Sequence, residues 1–525
     1  MMNDRKIALL EAENLQLRQE NEQLTLQVKL LTEELLLMRQ RLFGRSSEKT
    51  SLIVDDEQIS IFNEPEQAKA DDAVEAELEK VIVRRKKQKG KRELDLSSFP
   101  VKRVVCELPE DKRVCPDCGG SMCACGHDVV RRELTRIPAR YEVTEYVETV
   151  YACRGCEKNN IRTPMIKSEV PVPVIPGSGV ASPSLVAHIA HQKYTLALPL
   201  YRQEQEFSRN GIMLSRQTMA NWLIYVSTNY LTYIYEALRL ELLASHVLHA
   251  DETTVQVFHE QGKTAASESY MWLYRTSGDT ERHIILFDYK PNRKYENPRI
   301  FLEGFSGFLH SDGYQAYHNL PPGIVVTGCW EHIRRRFADI LKSLPDYNRS
   351  GSAAMRGLEF CNKLFELERK FVELPADDNF KARYEARLEK SKPVMSEFFA
   401  WAGSLNALPK SNLGIAVNYA LSERVWLENV LLDGRLEISN NRAERTIRPF
   451  TVGRKNWLFC HTENGAKASA VIYSIIETAI ENGLKPCQYL EFVFETAPNM
   501  DLAGDPDSVE KLLPWNAPPD CRNIN

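Results

Sequence analysis

Two carboxylates at the ends of short apolar runs are the residues of this sequence best placed for chemistry. Val247-Leu248-His249-Ala250-Asp251 ends in one, and Gly307-Phe308-Leu309-His310-Ser311-Asp312 in the other. Both runs read as strands. A third acid is expected from a later helix, and two candidates stand close together. Glu437 lies in Arg-Leu-Glu-Ile-Ser, and Glu444 in Ser439-Asn440-Asn441-Arg442-Ala443-Glu444-Arg445. Asn441 with Glu444 three residues on has the form of a capping box, so a helix cap is the plain role for Glu444. The basic residues after it, Arg445, Arg448, Arg454 and Lys455, favour a functional role, since they could hold a DNA backbone beside a metal site. Pro449 is expected to limit or kink that helix early. Clustered carboxylates are hard oxygen ligands, which suit Mg²⁺ or Mn²⁺. The chemistry that such a pair of ions supports is in-line phosphoryl transfer.

A second set of ligands is made of thiols. Cys115-Pro-Asp-Cys118 and Cys153-Arg-Gly-Cys156 are two C-x-x-C knuckles with 34 residues between them. Each knuckle presents two thiolates on a tight turn, and together they complete a tetrahedral zinc site with no open position for water. The role is therefore structural. Cys123, Cys125 and His127 lie between the knuckles and compete as ligands. The stretch Tyr141 to Tyr151 alternates like a strand, as in a zinc ribbon. Upstream, Arg84-Arg85-Lys86-Lys87-Gln88-Lys89-Gly90-Lys91-Arg92 has seven basic residues in nine, a run able to neutralise phosphates.

The acids need a scaffold, and the order of elements supplies one. Strands at Met271–Arg275 and His283–Asp288 follow the first acid as a meander. A helix over Tyr295–Leu302 leads to the strand ending at Asp312. A short helix leads to a fifth strand, Ile324–Cys329, and a helix from Glu331 to Leu344 completes the set. Three strands, helix, strand, helix, strand, helix is the order of the ribonuclease-H-like fold, in which the first and fourth strands are neighbours. Residues 350–425 read as helical throughout, an insertion before the third acid. Further upstream, Ser184–Gln192, Leu200–Asn210 and Ser215–Thr228 read as helices. The last two form a helix-turn-helix that could read DNA through Arg216, Gln217 and Asn221, or else pack as an ordinary hairpin. Gly465–Glu481 is amphipathic, with Ala466, Ala470, Tyr473, Ile476 and Ile480 as its apolar stripe and Gly483 as its stop.

Residues 5–43 read as one long helix. Leu10, Leu17, Leu24, Leu31 and Met38 recur every seven residues, with Ile7, Asn14, Asn21, Val28 and Leu35 three before each. This is a coiled-coil seam, and its two asparagines favour one register and a dimer. Residues 50–80 are acidic and polar, as in a linker. Over 525 residues the net charge is −5 and 43% of the chain is hydrophobic, so a large core is available and bulk charge announces no nucleic acid. No run of eighteen apolar residues and no signal-peptide core is present, which argues against a membrane or secreted protein. The twelve cysteines then read as thiols or ligands rather than disulfides. A cytoplasmic, nucleoid-associated protein is expected.

Taken together these stretches resemble the TnpC-type transposases of the IS66 family of bacterial insertion sequences. The resemblance is carried by Leu-His-Ala-Asp251-Glu-Thr, Ser-Asp312-Gly-Tyr-Gln-Ala-Tyr, Cys329-Trp330-Glu331-His332-Ile-Arg-Arg-Arg-Phe337, Ser-Asn440-Asn441-Arg-Ala-Glu444-Arg445-Thr-Ile-Arg-Pro-Phe and Gly453-Arg454-Lys455-Asn456-Trp457-Leu-Phe459. It extends to the heptad helix, the knuckles and the C-terminal helices. Glu331 departs from the pattern, where a small residue is expected. The resemblance implies a DDE transposase with Asp251, Asp312 and Glu444 as its acids. It implies cleavage of the element's terminal inverted repeats and joining of the 3′-hydroxyls to target DNA, helped by small accessory proteins. The architecture expected is multidomain α/β. A leucine-zipper coiled coil occupies 1–49, a linker with the basic run 50–100, a zinc ribbon-like module 101–165 and a helical DNA-binding region 184–240. A ribonuclease-H-like catalytic core follows at 245–460, with an all-helical insertion at about 345–430, and a helical region at 461–525. A zinc-dependent DNA-binding regulator with inert acids and a nuclease on the same fold are the rival readings.

Overall fold

The computed structural model of the chain describes residues 140–152, 165–264, 267–371, 373–374 and 379–523, with nine helical positions between 16 and 32. The basic run Arg84–Arg92, with Arg84, Arg85, Lys86 and Lys87, lies outside the described residues. So do the cysteines Cys115, Cys118, Cys153 and Cys156. Of the heptad seam, Leu17, Asn21 and Val28 are described, and all three are helical and exposed. The chain divides into two compact units, residues 60–170 and the remainder.

In the smaller unit β1 (Val150–Ala152) pairs antiparallel with β2 (Met165–Lys167). The long strand expected from Tyr141 to Tyr151 is a correction: only its end is a strand. Val143, Tyr146 and Val147 are exposed, so the alternation there has no buried face to serve.

The larger unit opens with helices that start where their caps dictate. Ser182 accepts from the Leu185 amide ahead of α1 (Pro183–Tyr194), with Pro183 at the first helical position. After α2 (Leu200–Arg209) the chain turns at Gly211, whose φ is +78°. Ser215 then caps α3 (Arg216–Val226) through the Thr218 amide at 3.1 Å. Met219, Trp222, Leu223 and Val226 face inward at helical spacing, while Arg216, Gln217 and Asn221 face out. The outward cluster is internally satisfied: Gln217 donates to Asn221 at 3.0 Å, and the Arg216 amide donates to Glu204 at 3.0 Å. α4 (Thr232–Leu243) leads to the sheet.

Five strands lie in the order β5-β4-β3-β6-β7. β3 (Val247–His259), β4 (Glu268–Thr276) and β5 (Ile285–Lys290) form the antiparallel meander. β6 (Gly307–His310) runs parallel to β3 on its other side, and β7 (Ile324–Thr327) parallel to β6. α5 (Glu296–Phe301) joins the meander to β6. β3 is much longer than the run ending at Asp251, because β4 pairs with it as far as Gln256 and β8 (Cys460–Thr462) pairs with its tip at Val257 and His259.

Beyond β7 come α6 (Trp330–Ser343), α7 (Ala353–Phe371), α8 (Lys392–Ser404) and α9 (Asn412–Ser422). Trp330, Phe337, Phe398 and Phe399 make their shared core. One buried ion pair fixes the exit from this insertion. Arg387 meets Glu368 at 2.7 Å and also donates to the carbonyls of Val430 and Leu436. The segment leading to α10 (Asn441–Trp457) is thereby held in place. Pro449 sits inside that helix, which continues past it to Trp457, so the early stop expected at Pro449 is corrected. Its missing donor leaves only the Arg445 carbonyl without a helical partner, on a turn whose residues Arg445 and Arg448 are exposed.

The outer edge of the sheet, β5, is sealed by side chains. α11 (Glu463–Glu481) lies against it. Ser474 accepts from the Phe287 amide at 2.7 Å, and the Thr478 hydroxyl both accepts from the Ile285 amide and donates to its carbonyl, each at 3.0 Å. Two polar residues on a buried helix face thus stand in for a further strand beyond β5. Ile480, expected in the apolar stripe, is exposed instead. Thr478→Val keeps the shape and strands both Ile285 groups. It is expected to destabilise the protein by about 2–3 kcal/mol in denaturant titration; a change within experimental error would show that the hydroxyl does not seal the edge.

Candidate active site

The sheet register sets the first two acids side by side. His249 on β3 pairs with His310 on β6. Asp251 lies two residues beyond the first histidine and Asp312 two beyond the second, so both carboxylates emerge at one level where the parallel strands end. The imidazoles below them are fully buried and stacked, with ring centroids 4.7 Å apart. Burial holds both below the usual histidine range, His249 at about 3. They are neutral packing groups.

Glu444 arrives from the first turn of α10, and Asn440 determines where that turn sits. Asn440 is the residue before the helix, yet its side chain caps nothing. Its amide nitrogen donates to the Ala250 carbonyl at 2.8 Å. With the nitrogen committed, the amide oxygen accepts from His249 Nδ1 at 2.9 Å, and His249 Nε2 accepts from Ser277 at 3.2 Å. The Asn440 backbone amide donates to the Cys329 sulfur at 3.1 Å. The helix carrying the third acid is thereby tied to the residue preceding Asp251. The capping box expected of Asn441 and Glu444 is corrected: the helix begins one residue earlier, and Glu444 is released from capping.

The charges report how close the acids are. Burial holds Asp251 well above the usual carboxylate range, and the charges of Glu252, Asp312 and Glu444 push it the same way. One Asp251 oxygen accepts from the Glu252 amide at 2.8 Å, and one Asp312 oxygen from the Tyr314 amide at 3.0 Å. Glu444 Oε2 accepts from Arg335 at 3.0 Å, while its Oε1 is buried without a hydrogen-bond partner. Glu437 pairs instead with Arg442 at 2.7 Å and is not among the charges acting on Asp251. Carboxylates forced together with an oxygen left unpaired fit a divalent cation, which would remove the repulsion that burial magnifies.

Glu252 escaped the sequence reading. Its carboxylate is enclosed by Arg293, at 2.8 Å from Nε, and by the Tyr317 hydroxyl at 2.5 Å. Burial, then the Asp312 charge, pushes it up to about 7. Arg293 lies over the Tyr314 ring, 3.7 Å from its centroid, and the Tyr314 hydroxyl donates to the Arg293 carbonyl. The two tyrosines following Asp312 therefore lock the loop after β6 onto β3. A pH effect follows from these raised acids. Their folded-state values exceed the unfolded ones, so the folded chain binds more protons in the window between. Stability in EDTA is expected to be full below about pH 4.5 and to fall as pH rises toward about 7 through Glu252. Mg²⁺ is expected to flatten that fall. Thermal unfolding across pH with and without Mg²⁺ checks this, and a stability that rises over the same window would contradict it.

The basic residues divide by use. Arg445 and Arg448 are exposed on the helix that carries Glu444. Arg454 is spent inside the protein, bonding the hydroxyls of Thr253 at 3.0 Å and Thr254 at 2.9 Å. It splices α10 to β3 from a partly buried position. Lys455 is half-buried. Cys329 is the residue before α6, and burial followed by the Glu444 charge pushes its thiol up to about 12. His332 lies on the same turn, its Nδ1 3.9 Å from Glu444.

The comparisons with known proteins agree along the chain. Residues 178–468 match the model of the transposase IS66 family, which covers more than half of the chain and every acid described above. Residues 112–157 match the zinc-finger binding domain of transposase IS66, a span that includes both cysteine knuckles. Residues 30–104 match a family described as transposase C of IS166 homeodomain. Two proteins of Sinorhizobium fredii align over most of their length. The one named uncharacterized protein y4qI is 30% identical over 99% of this chain and 94% of its own length. Uncharacterized protein y4hP is 29% identical over 91% of this chain and 87% of its own. Among the described residues no helix is long and apolar enough to cross a membrane. With a family match over its core and a zinc-finger match ahead of it, the chain belongs to the IS66 family of transposases.

Proposed function

We propose that this transposase is of the DDE type, built on a ribonuclease-H-like core, with Asp251, Asp312 and Glu444 as its catalytic acids. The observation that carries the reading is the β3–β6 register, which brings Asp251 and Asp312 to one level while the Glu444 charge acts on Asp251. The strand order, an antiparallel meander with two parallel strands beyond its first member, supports the same fold. The three acids would hold Mg²⁺ or Mn²⁺, whose chemistry is to activate an attacking hydroxyl and stabilise the leaving oxygen. Arg445 and Arg448 contact the phosphate backbone beside the acids. Arg335 keeps Glu444 in place until it turns to the cation. Cys115, Cys118, Cys153 and Cys156 hold the structural zinc, and the heptad helix pairs two copies. The basic run Arg84 to Lys87 and the outward face of α3 at Arg216 add contacts to the inverted repeats. The element's small accessory proteins act with it.

The test is a strand-transfer assay on the element's own ends with Mg²⁺. Cleaved ends joined to target DNA are the expected product. Hydrolysis without joining would make the protein a nuclease, and DNA binding without cleavage would make it a regulator.

A further inference from the structure

Three donor atoms of different chemistry converge beside the third acid. Cys329 and His332 are three residues apart at the start of α6 and so share one side of its first turn. Glu444 comes to them from α10. The Cys329 sulfur, a His332 ring nitrogen and a Glu444 oxygen all lie within 4.8 Å of one another. Around a tetrahedral zinc, with bonds of about 2.0–2.3 Å, ligand atoms stand roughly 3.3–3.7 Å apart. A contraction of about an ångström would therefore close the cluster on an ion.

Two of the three donors make no hydrogen bond within the protein. His332 Nδ1 and Glu444 Oε1 are both buried without a hydrogen-bond partner, and they stand 3.9 Å apart. That is too far for a hydrogen bond, and buried polar atoms left unpaired call for a missing body between them. Arg335 takes the other Glu444 oxygen, Oε2, and so leaves Oε1 available. The donor set also selects the ion. Sulfur, imidazole and a single carboxylate suit Zn²⁺, whereas Mg²⁺ takes oxygens.

We propose that Cys329, His332 and Glu444 form a binding site for a zinc-class divalent cation, with water as the fourth ligand, and that the bound ion withholds Glu444 from Asp251 and Asp312. On binding, the Cys329 thiol gives its proton to solvent and its sulfur forms the bond to the metal. The ion is then an inhibitor of catalysis, a consequence that rests on the function proposed above; the binding itself does not.

Cobalt is the probe, because thiolate-to-cobalt charge transfer absorbs in the near ultraviolet. Full-length protein already loaded with zinc is dialysed against Co²⁺ and compared with Cys329→Ser and His332→Ala. Wild type is expected to take up one more equivalent than Cys329→Ser, with a charge-transfer band that the variant lacks. His332→Ala, at a half-exposed position, is expected to weaken cobalt binding about 10-fold or more, and it carries the test should Cys329→Ser fail to fold. Equal uptake and identical spectra in all three proteins would overturn the site. In strand transfer at fixed Mg²⁺, micromolar Zn²⁺ is expected to slow the wild type, and the ratio of rates with and without Zn²⁺ should return to near one in His332→Ala. Equal inhibition of both overturns the competition. A wild type that joins no DNA at all counts against the proposed function and leaves the cobalt result standing.

Discussion

Asp251→Asn is expected to lower strand transfer by roughly 10³-fold or more while leaving DNA affinity within about twofold, since the basic residues carry that term. It is also expected to raise the unfolding temperature of the metal-free protein. The second effect separates the prediction from simple damage. Asp251 is held far above the ordinary carboxylate range by burial and by three neighbouring acids. An amide of the same shape removes that repulsion and still accepts from the Glu252 amide, as the carboxylate does at 2.8 Å. Stability that the aspartate loses as pH rises is kept by the asparagine. Joining assays, fluorescence anisotropy on the inverted repeats and thermal unfolding in EDTA measure the three quantities. Joining within tenfold of the wild type would remove Asp251 from the catalytic set.

Asn440→Ala is expected to cost about 100-fold in the joining rate and to raise several-fold the Mg²⁺ concentration needed for half-maximal rate. Asn440 touches no reacting atom in this scheme. It bonds Ala250 and His249 on one side and begins the helix of Glu444 on the other. Removing its amide frees that helix to shift by the fraction of an ångström that separates a shared cation from an unshared one. It also leaves a buried carbonyl and an imidazole donor unpaired, at about 1–3 kcal/mol each. Asn440→Asp sharpens the test, because it keeps the volume but sets an acceptor against the Ala250 carbonyl. A stability loss with an unchanged Mg²⁺ requirement would make Asn440 a structural residue only.

How far the site was legible in the sequence depends on how local each determinant is. The strands bearing Asp251 and Asp312 are short apolar runs ending in acids, and their hydrophobic pattern is a local signal. Glu444 and Glu437 are hard to separate in the sequence because what places them differently is distant. Asn440 contacts Ala250 across 190 positions, while Glu437 is occupied by an arginine five residues on. Glu252 was missed because it adjoins Asp251 on a strand, where alternation sends neighbours to opposite faces. Its partners Arg293 and Tyr317 come 41 and 65 residues later. The bonds of Arg454 to Thr253 and Thr254 are equally hidden in the sequence, because a basic cluster does not reveal which members also bond within the fold. The alternating stretch from Tyr141 failed as a strand for the converse reason: period-2 patterning is a statement about a buried face, and those residues have none.

The seal on β5 has a consequence for the order in which the protein becomes protected during its own synthesis. β5 is complete at Lys290, but Ser474 and Thr478 are made 187 and 193 residues after the backbone groups they satisfy. At ordinary elongation rates that interval is roughly 10–40 s. Throughout it, the nascent sheet has an open edge ready to pair with another chain. A polypeptide cut short after Glu444 but before α11 would carry Asp251, Asp312 and Glu444 on a sheet whose β5 edge is unsealed, and such an edge favours association with other chains. Synthesis of α11 is thus the step that protects the sheet, and it follows Glu444 in the order of translation.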